Sequence, residues 1–150
     1  MNNIMKLTVF KIFLKMFAIV CLFQTGMAQS LQGSWAVDKI IYEKEIAEKK
    51  ETITYNTIKE VQDRISFPKE IEFKDAQNMI LRYFNITEEI KAEYSHNDNE
   101  ITITSGPVGY TYLYSIKNNN LTLTSTYKWM NRQNEEVTEK WNFIMKEQSN

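Results

Sequence analysis

The chain has 150 residues with 18 basic and 19 acidic side chains, so its formal charge at pH 7 is −1. No basic stripe runs through it, which argues against a nucleic-acid partner. Aromatic residues make up 13% of the chain, enough to fill the core of one globular domain and too many for an intrinsically disordered protein.

Residues 1–28 have the pattern of a cleavable secretory signal peptide. Three lysines, the only charges in this stretch, precede an apolar run at 16–23, and small residues stand at Gly26 and Ala28, where signal peptidase requires them. The run is too short to cross a membrane, so we expect no stable membrane span after signal removal. Cleavage after Ala28 predicts an exported protein, periplasmic or extracellular, with a mature domain at 29–150.

The only cysteine, Cys21, lies inside this predicted signal. A lipid anchor through it is not expected, because Val20 precedes it where lipoprotein acylation uses a small residue. Removal of the signal leaves 15 basic and 19 acidic side chains, a formal charge of −4. It also leaves a mature chain without a disulfide, a thiol nucleophile or a thiolate metal ligand.

Beyond the signal, hydrophobic residues recur at every second position in runs rich in Thr, Tyr, Ile and Trp. Successive side chains of a strand point to opposite faces, so this period predicts half-buried β-strands. Short polar connectors leave no room for crossover helices, so consecutive strands are predicted to pair antiparallel. The predicted strands are 33–42, 50–56, 69–75, 79–85, 88–95, 100–105, 108–117, 120–130 and 136–146.

Two features of the first half interrupt or qualify this pattern. In the first strand, alternation predicts that Ile41 shares the face of Trp35. The charged stretch 43–51 is interpreted as a solvated face or a loop. Thr57 and Glu60 then match a capping box, and apolar residues follow at helical spacing, which predicts one short helix at 58–65.

A meander of eight or nine antiparallel strands must deal with two exposed sheet edges. Closure into an up-and-down barrel removes both edges, and we predict an all-β barrel of this type with one short helix; an open sandwich is the alternative. Gly33 and Trp35 stand where the first strand begins. They are predicted to be structural, with the glycine allowing a sharp approach and the indole filling the floor of the barrel.

Gly33-Ser34-Trp35 ahead of an all-β meander resembles the lipocalins. More closely, the chain resembles the lipocalin-like secreted proteins of Bacteroidetes-type bacteria, which often carry a hairpin similar to residues 114–123. The Thr-Asp-Tyr motif of ligand-transporting lipocalins has no match here. The resemblance covers the chain from Leu31 onward and implies a lipocalin-like barrel that binds a small ligand.

Groups that carry enzyme chemistry are scarce. His96 is the only histidine, and it stands in a turn-like stretch, so neither an acid–base pair nor a zinc site is expected. Residues 97–100 carry oxygen donors but lack the spacing and glycine of a calcium loop. The sequence therefore predicts a protein that is not an enzyme, with no catalytic residue, metal or cofactor.

Five aromatic residues and one leucine on two adjacent predicted strands are the candidate ligand-binding residues. Tyrosine rings offer apolar walls with hydroxyls that can orient a small apolar or amphipathic molecule in the barrel lumen. The alternative is a filled barrel that acts as a protein-interaction or inhibitor module at the cell envelope, because eight strands enclose barely more than their own side chains. The candidate residues are Tyr110, Tyr112, Tyr114, Leu123, Tyr127 and Trp129.

Overall fold

The structure, a computed structural model, describes residues 30–149. The predicted signal peptide, including Cys21, lies outside the described residues. One short 3₁₀ helix occurs at Ile58–Glu60. The strands are β1 (Gly33–Ile46), β2 (Lys49–Tyr55), β3 (Glu70–Phe73), β4 (Asn78–Arg82), β5 (Ile90–His96), β6 (Glu100–Ser105), β7 (Val108–Lys117), β8 (Asn120–Met130) and β9 (Glu136–Glu147).

These strands form one antiparallel sheet that closes on itself. Strands β3 to β9 pair in chain order, and β1 pairs with both β3 and β9, so eight strands complete a barrel. Strand β2 is an additional strand that pairs with the second half of β1. The predicted all-β, antiparallel barrel is confirmed.

Strand β1 is the longest strand and contacts three others. One of its edges pairs with β9 from Trp35 to Ile46. Its other edge is divided, since residues 33–36 pair with β3 whereas residues 40–46 pair with β2. The chain that joins β2 to β3 therefore leaves and rejoins the sheet near the middle of β1.

A β-bulge in β1 changes which residues are buried. The pairing with β9 shifts register between Val37 and Lys39, and an extra residue in one strand reverses the alternation beyond it. Ile40 is consequently fully buried, whereas Ile41 is only half-buried. The prediction that Ile41 shares the face of Trp35 is therefore wrong.

The charged stretch 43–51 forms a mostly exposed hairpin. Strand β1 continues to Ile46, and a two-residue turn leads into β2. Ala47 and Glu48 occupy this turn with φ angles of 46° and 67°, the left-handed values that such tight hairpins require. The solvated face that the charges predict is present, on two strands rather than in a loop.

The predicted helix at 58–65 is reduced to one 3₁₀ turn, followed by a non-helical turn. The Glu60 carboxylate accepts hydrogen bonds from the backbone N–H groups of Asn56 and Thr57 at 3.1 and 3.0 Å, so the capping pattern is real. A 3₁₀ turn places residues three positions apart on one side, and this buries both Ile58 and Val61.

The buried apolar side chains form one cluster inside the barrel. Trp35 is fully buried where β1 begins, and its indole N–H donates a hydrogen bond to the Leu31 carbonyl at 2.9 Å. The antiparallel order places the β3–β4, β5–β6 and β7–β8 turns at this same end, here called the Trp35 end. The β1–β2, β4–β5, β6–β7 and β8–β9 connections lie at the opposite end, here called the far end.

Candidate functional site

Exposed apolar side chains concentrate at the far end of the barrel. Leu113, in the middle of β7, is the exception among the eight large hydrophobic residues that are exposed within residues 30–149. A clustered apolar surface on a soluble protein is typical of a ligand or partner site. The seven residues at the far end are Phe84, Ile86, Val108, Tyr110, Tyr127, Trp129 and Met130.

Two neighbouring strands part at this end. β7 pairs with β8 only through residues 113–117, so the first five residues of β7 pair with β6 alone. The last six residues of β8, 125–130, pair with β9 alone. The barrel wall therefore opens between the start of β7 and the end of β8.

Four tyrosines gather around this opening. Burial raises the pKa of Tyr112 well above its ordinary value, and nearby Tyr127, Tyr83 and Tyr110 raise it further. Burial likewise raises the pKa of Tyr83, with a smaller contribution from Tyr110. Trp129 lies two residues after Tyr127, on the same face of β8 and closer to the end of that strand. We call these five residues, Tyr83, Tyr110, Tyr112, Tyr127 and Trp129, the aromatic mouth.

The hydroxyls of the four mouth tyrosines have no hydrogen-bond partner among residues 30–149. The other four tyrosines of the chain are all satisfied. Tyr42 donates to Glu139 at 2.6 Å, Tyr94 to the Asp75 carbonyl at 2.7 Å and Tyr114 to the Asn97 carbonyl at 2.9 Å, and Tyr55 accepts from Arg64 at 3.1 Å. A phenol carries an O–H donor, so the mouth presents hydrogen-bond donors.

Residues 56–68 are here called the plug segment, and their buried side chains fill part of the lumen behind the mouth. The ring of Phe67 stacks on that of Phe143, with centroids 3.6 Å apart and planes inclined by 2°. It also meets Tyr112 edge-on at 5.8 Å. Ile58 and Val61 are buried in the same cluster. The chain thus fills part of the lumen with its own side chains, as in the filled barrel that the sequence predicts as the alternative to a ligand-binding lumen.

Three polar grooves lie elsewhere on the surface. The groove at the far end has about 410 Å³ and is bordered mainly by charged residues of the β1–β2 hairpin. A second, of about 440 Å³, runs beside His96, and a third, of about 630 Å³, lies beside the β7–β8 turn. All three have mainly polar borders, unlike the aromatic mouth.

The structure separates the six predicted ligand-binding residues into two groups. Tyr110, Tyr112, Tyr127 and Trp129 belong to the aromatic mouth. Leu123 is fully buried and paired with Phe143, and Tyr114 points toward the Trp35 end, with its hydroxyl 3.3 Å from His96 Nδ1.

Sequence reasoning missed Tyr83. Its alternation with Met79 and Leu81, both buried, was the available signal.

Gly33 and Trp35 occupy the positions expected of structural residues. Gly33 has a φ of +119°, which side-chain-bearing residues rarely adopt, and a Cβ there would lie 3.5 Å from Glu147 Oε1. The buried indole of Trp35 follows two residues later. Together they begin the strand that joins β9 to β3.

Within residues 30–149, no group of three or more His, Asp or Glu side chains is arranged to hold a metal ion. No helix in the same range has the length and apolar character needed to cross a bilayer. His96 lies exposed at the end of β5.

No family model, curated protein or solved structure was found to match this chain significantly.

Proposed function

We propose that this chain is an exported, lipocalin-like protein that binds a small amphipathic molecule at the aromatic mouth. The observation that carries the proposal is the division of the tyrosines. The four hydroxyls without a partner among residues 30–149 are also the four that surround the opening in the barrel wall. Such convergent polar groups among aromatic rings are typical of small-molecule sites.

The chemistry of the mouth defines the kind of molecule. The rings of Tyr110, Tyr127 and Trp129 are 41–56% exposed, so their apolar surfaces are available for contact. Neutral phenols donate hydrogen bonds to carbonyl, carboxylate or sulfonate oxygens. A ligand with an apolar body and a head group that accepts hydrogen bonds matches both the aromatic rings and the phenol donors.

The test uses 1-anilinonaphthalene-8-sulfonate, an aromatic probe with an acceptor head group, titrated by calorimetry and fluorescence. We expect saturable binding with one site per chain. Tyr112→Phe, which keeps the ring and removes the hydroxyl, should weaken binding by about two- to tenfold, the value of one hydrogen bond. Tyr114→Phe is the matched control, since its hydroxyl bonds at the opposite end. Non-saturable binding, or equal effects of both variants, would contradict the proposal.

A protein-interaction module is the second candidate, favoured by the filled lumen and by exposed apolar side chains on the rim. Phe84 and Ile86 lie in the β4–β5 connection, and both are nearly half exposed. If this rim binds a protein partner, Phe84→Ser should abolish that complex and leave the affinity for the probe unchanged. Native mass spectrometry of the purified protein separates the two candidates, because a co-purified small molecule supports only the first.

A further inference from the structure

The plug segment makes few polar contacts with the strands of the closed barrel. Its backbone hydrogen bonds are all internal, from Glu60 to Thr57, from Val61 to Ile58, and from Arg64 and Ile65 to Val61. Its one side-chain bond to a strand joins Arg64 to the Tyr55 hydroxyl of β2. Among the described residues, no hydrogen bond joins it to a strand of the closed barrel.

Apolar contacts hold the plug segment in place. Ile58, Val61 and Phe67 are each at most 6% exposed, and Phe67 lies between Phe143 of β9 and Tyr112 of the aromatic mouth. Contacts of this kind are non-directional, so another apolar group of similar volume can replace them. Replacing a strand requires breaking a ladder of hydrogen bonds, whereas replacing this segment does not.

The segment also contains an unsatisfied group. The Oε1 atom of Gln62 is buried and has no hydrogen-bond partner among the described residues. A buried acceptor without a partner destabilises the conformation that buries it, since water would satisfy it outside. The inserted state of the plug segment is therefore less stable than its apolar contacts alone would make it.

We propose that the plug segment occupies a second part of the binding site, which receives the apolar tail of a long-chain amphipathic ligand. The inference rests on the proposed function, because the mouth holds the head group while the tail takes the place of Ile58, Val61 and Phe67. The ligand class is then an acyl-chain compound with an oxygen acceptor at one end. Rigid ligands without a tail bind at the mouth and leave the plug segment inserted.

Two variants shift the plug segment in opposite directions. Phe67→Ala removes its main contact with the barrel and should tighten dodecanoate binding about tenfold, because less of the protein must be converted to the open state. Gln62→Met removes the unsatisfied oxygen at similar volume, favours the inserted state and should weaken dodecanoate binding several-fold. Phe73→Ala is the control, as Phe73 is equally buried but contacts Tyr94 near the Trp35 end.

The measurements are affinities for dodecanoate and for 1-anilinonaphthalene-8-sulfonate, together with amide hydrogen exchange on the unaltered protein. Dodecanoate should accelerate exchange in residues 56–68, and the rigid probe should not. If the rigid probe binds but dodecanoate affinity is equal in Gln62→Met and Phe67→Ala, or exchange in 56–68 is unchanged, the second subsite is wrong and the mouth stands. If neither compound binds, the proposed function and this inference both fail.

Discussion

The indole N–H of Trp35 donates to the carbonyl of Leu31, four residues earlier, and both side chains are buried. This bond fixes the chain that leads into β1 beneath the indole. The start of the described chain is thereby held against the closed end of the barrel. The ring and the bond make separable contributions to stability.

Trp35→Ala should lower the free energy of unfolding by about 3–5 kcal/mol, the usual loss for a large buried aromatic side chain. Trp35→Phe retains most of the apolar volume and should cost less. Trp129→Ala is the matched control, because its ring is 41% exposed, and we expect a loss below about 1 kcal/mol. Urea unfolding measures all three, and equal losses at the two tryptophans would contradict the buried position.

Arg82 links four segments through carboxylates. It donates to Glu70 at 2.6 Å, to Glu72 at 2.7 Å and to Glu89 at 2.8 Å, and Glu70 also accepts from Ser34 of β1 at 2.7 Å. Arg82→Gln should therefore destabilise the fold by about 1–2 kcal/mol, since it leaves neighbouring carboxylates uncompensated.

Lys128→Gln is the control for this change. Its ion pair with Glu136 is 61% exposed on both sides, and such pairs contribute little.

Hydrogen bonds from Lys74 and then Arg82 lower the pKa of Glu72, so the stability they confer is present above its ordinary pKa of 4.5 and is lost as the pH falls. A stability profile that is flat in acid would contradict this account.

Alkaline pH should destabilise the protein. Burial, followed by the hydrogen bond to Glu139, raises the pKa of Tyr42 above 10.0, and burial also raises that of Tyr112. When the pKa of a group is higher in the folded state than in the unfolded state, its contribution to stability is complete below the unfolded-state pKa. That contribution is lost as the pH rises through the folded-state pKa. Stability should therefore fall above about pH 10, and less steeply in Tyr42→Phe.

Ultraviolet absorbance of tyrosinate gives an independent readout of this effect. Tyr42, Tyr83, Tyr94 and Tyr112 have raised pKa values in the fold and should ionise late. In concentrated urea all eight tyrosines should titrate together near their ordinary value. A single transition in the folded protein would show that these rings are not buried as described.

Two hairpins share a turn conformation but differ in residue type. Asn118 and Asn119 have φ angles of 52° and 58°, and asparagine tolerates them, whereas Ala47 and Glu48 adopt similar values without that advantage. Replacing Ala47→Asn together with Glu48→Gly should raise stability by about 1–2 kcal/mol. Asn118→Ala should lower it, and thermal unfolding of both variants checks the two signs.

Most strand bounds could be predicted because each strand has one buried and one solvated face. Residues 100–105, 108–117 and 120–130 agree with β6, β7 and β8 at both ends. The bulge near Asp38 was missed, although Lys39 falls on the face predicted to be buried and so interrupts the alternation. The β1–β2 turn was missed because Ala47 and Glu48 are not typical turn residues.

The aromatic mouth was only partly predictable. Alternation places Tyr110, Tyr112 and Tyr114 on one face. Which of them border the opening in the barrel wall depends on where β7 separates from β8, and that is a property of strand pairing. The plug segment was mistaken for a helix because Ile58, Val61 and Ile65 have helical spacing. The same spacing serves a tight turn whose apolar side chains enter a barrel.

The pairing of β1 with β9 joins residues that are 91 to 112 positions apart in the chain. Contacts over such separations form slowly, because a long loop must be ordered before any of them is made. During synthesis the ring of strands therefore stays incomplete until β9 is available to pair with β1, and until then its interior remains accessible to water.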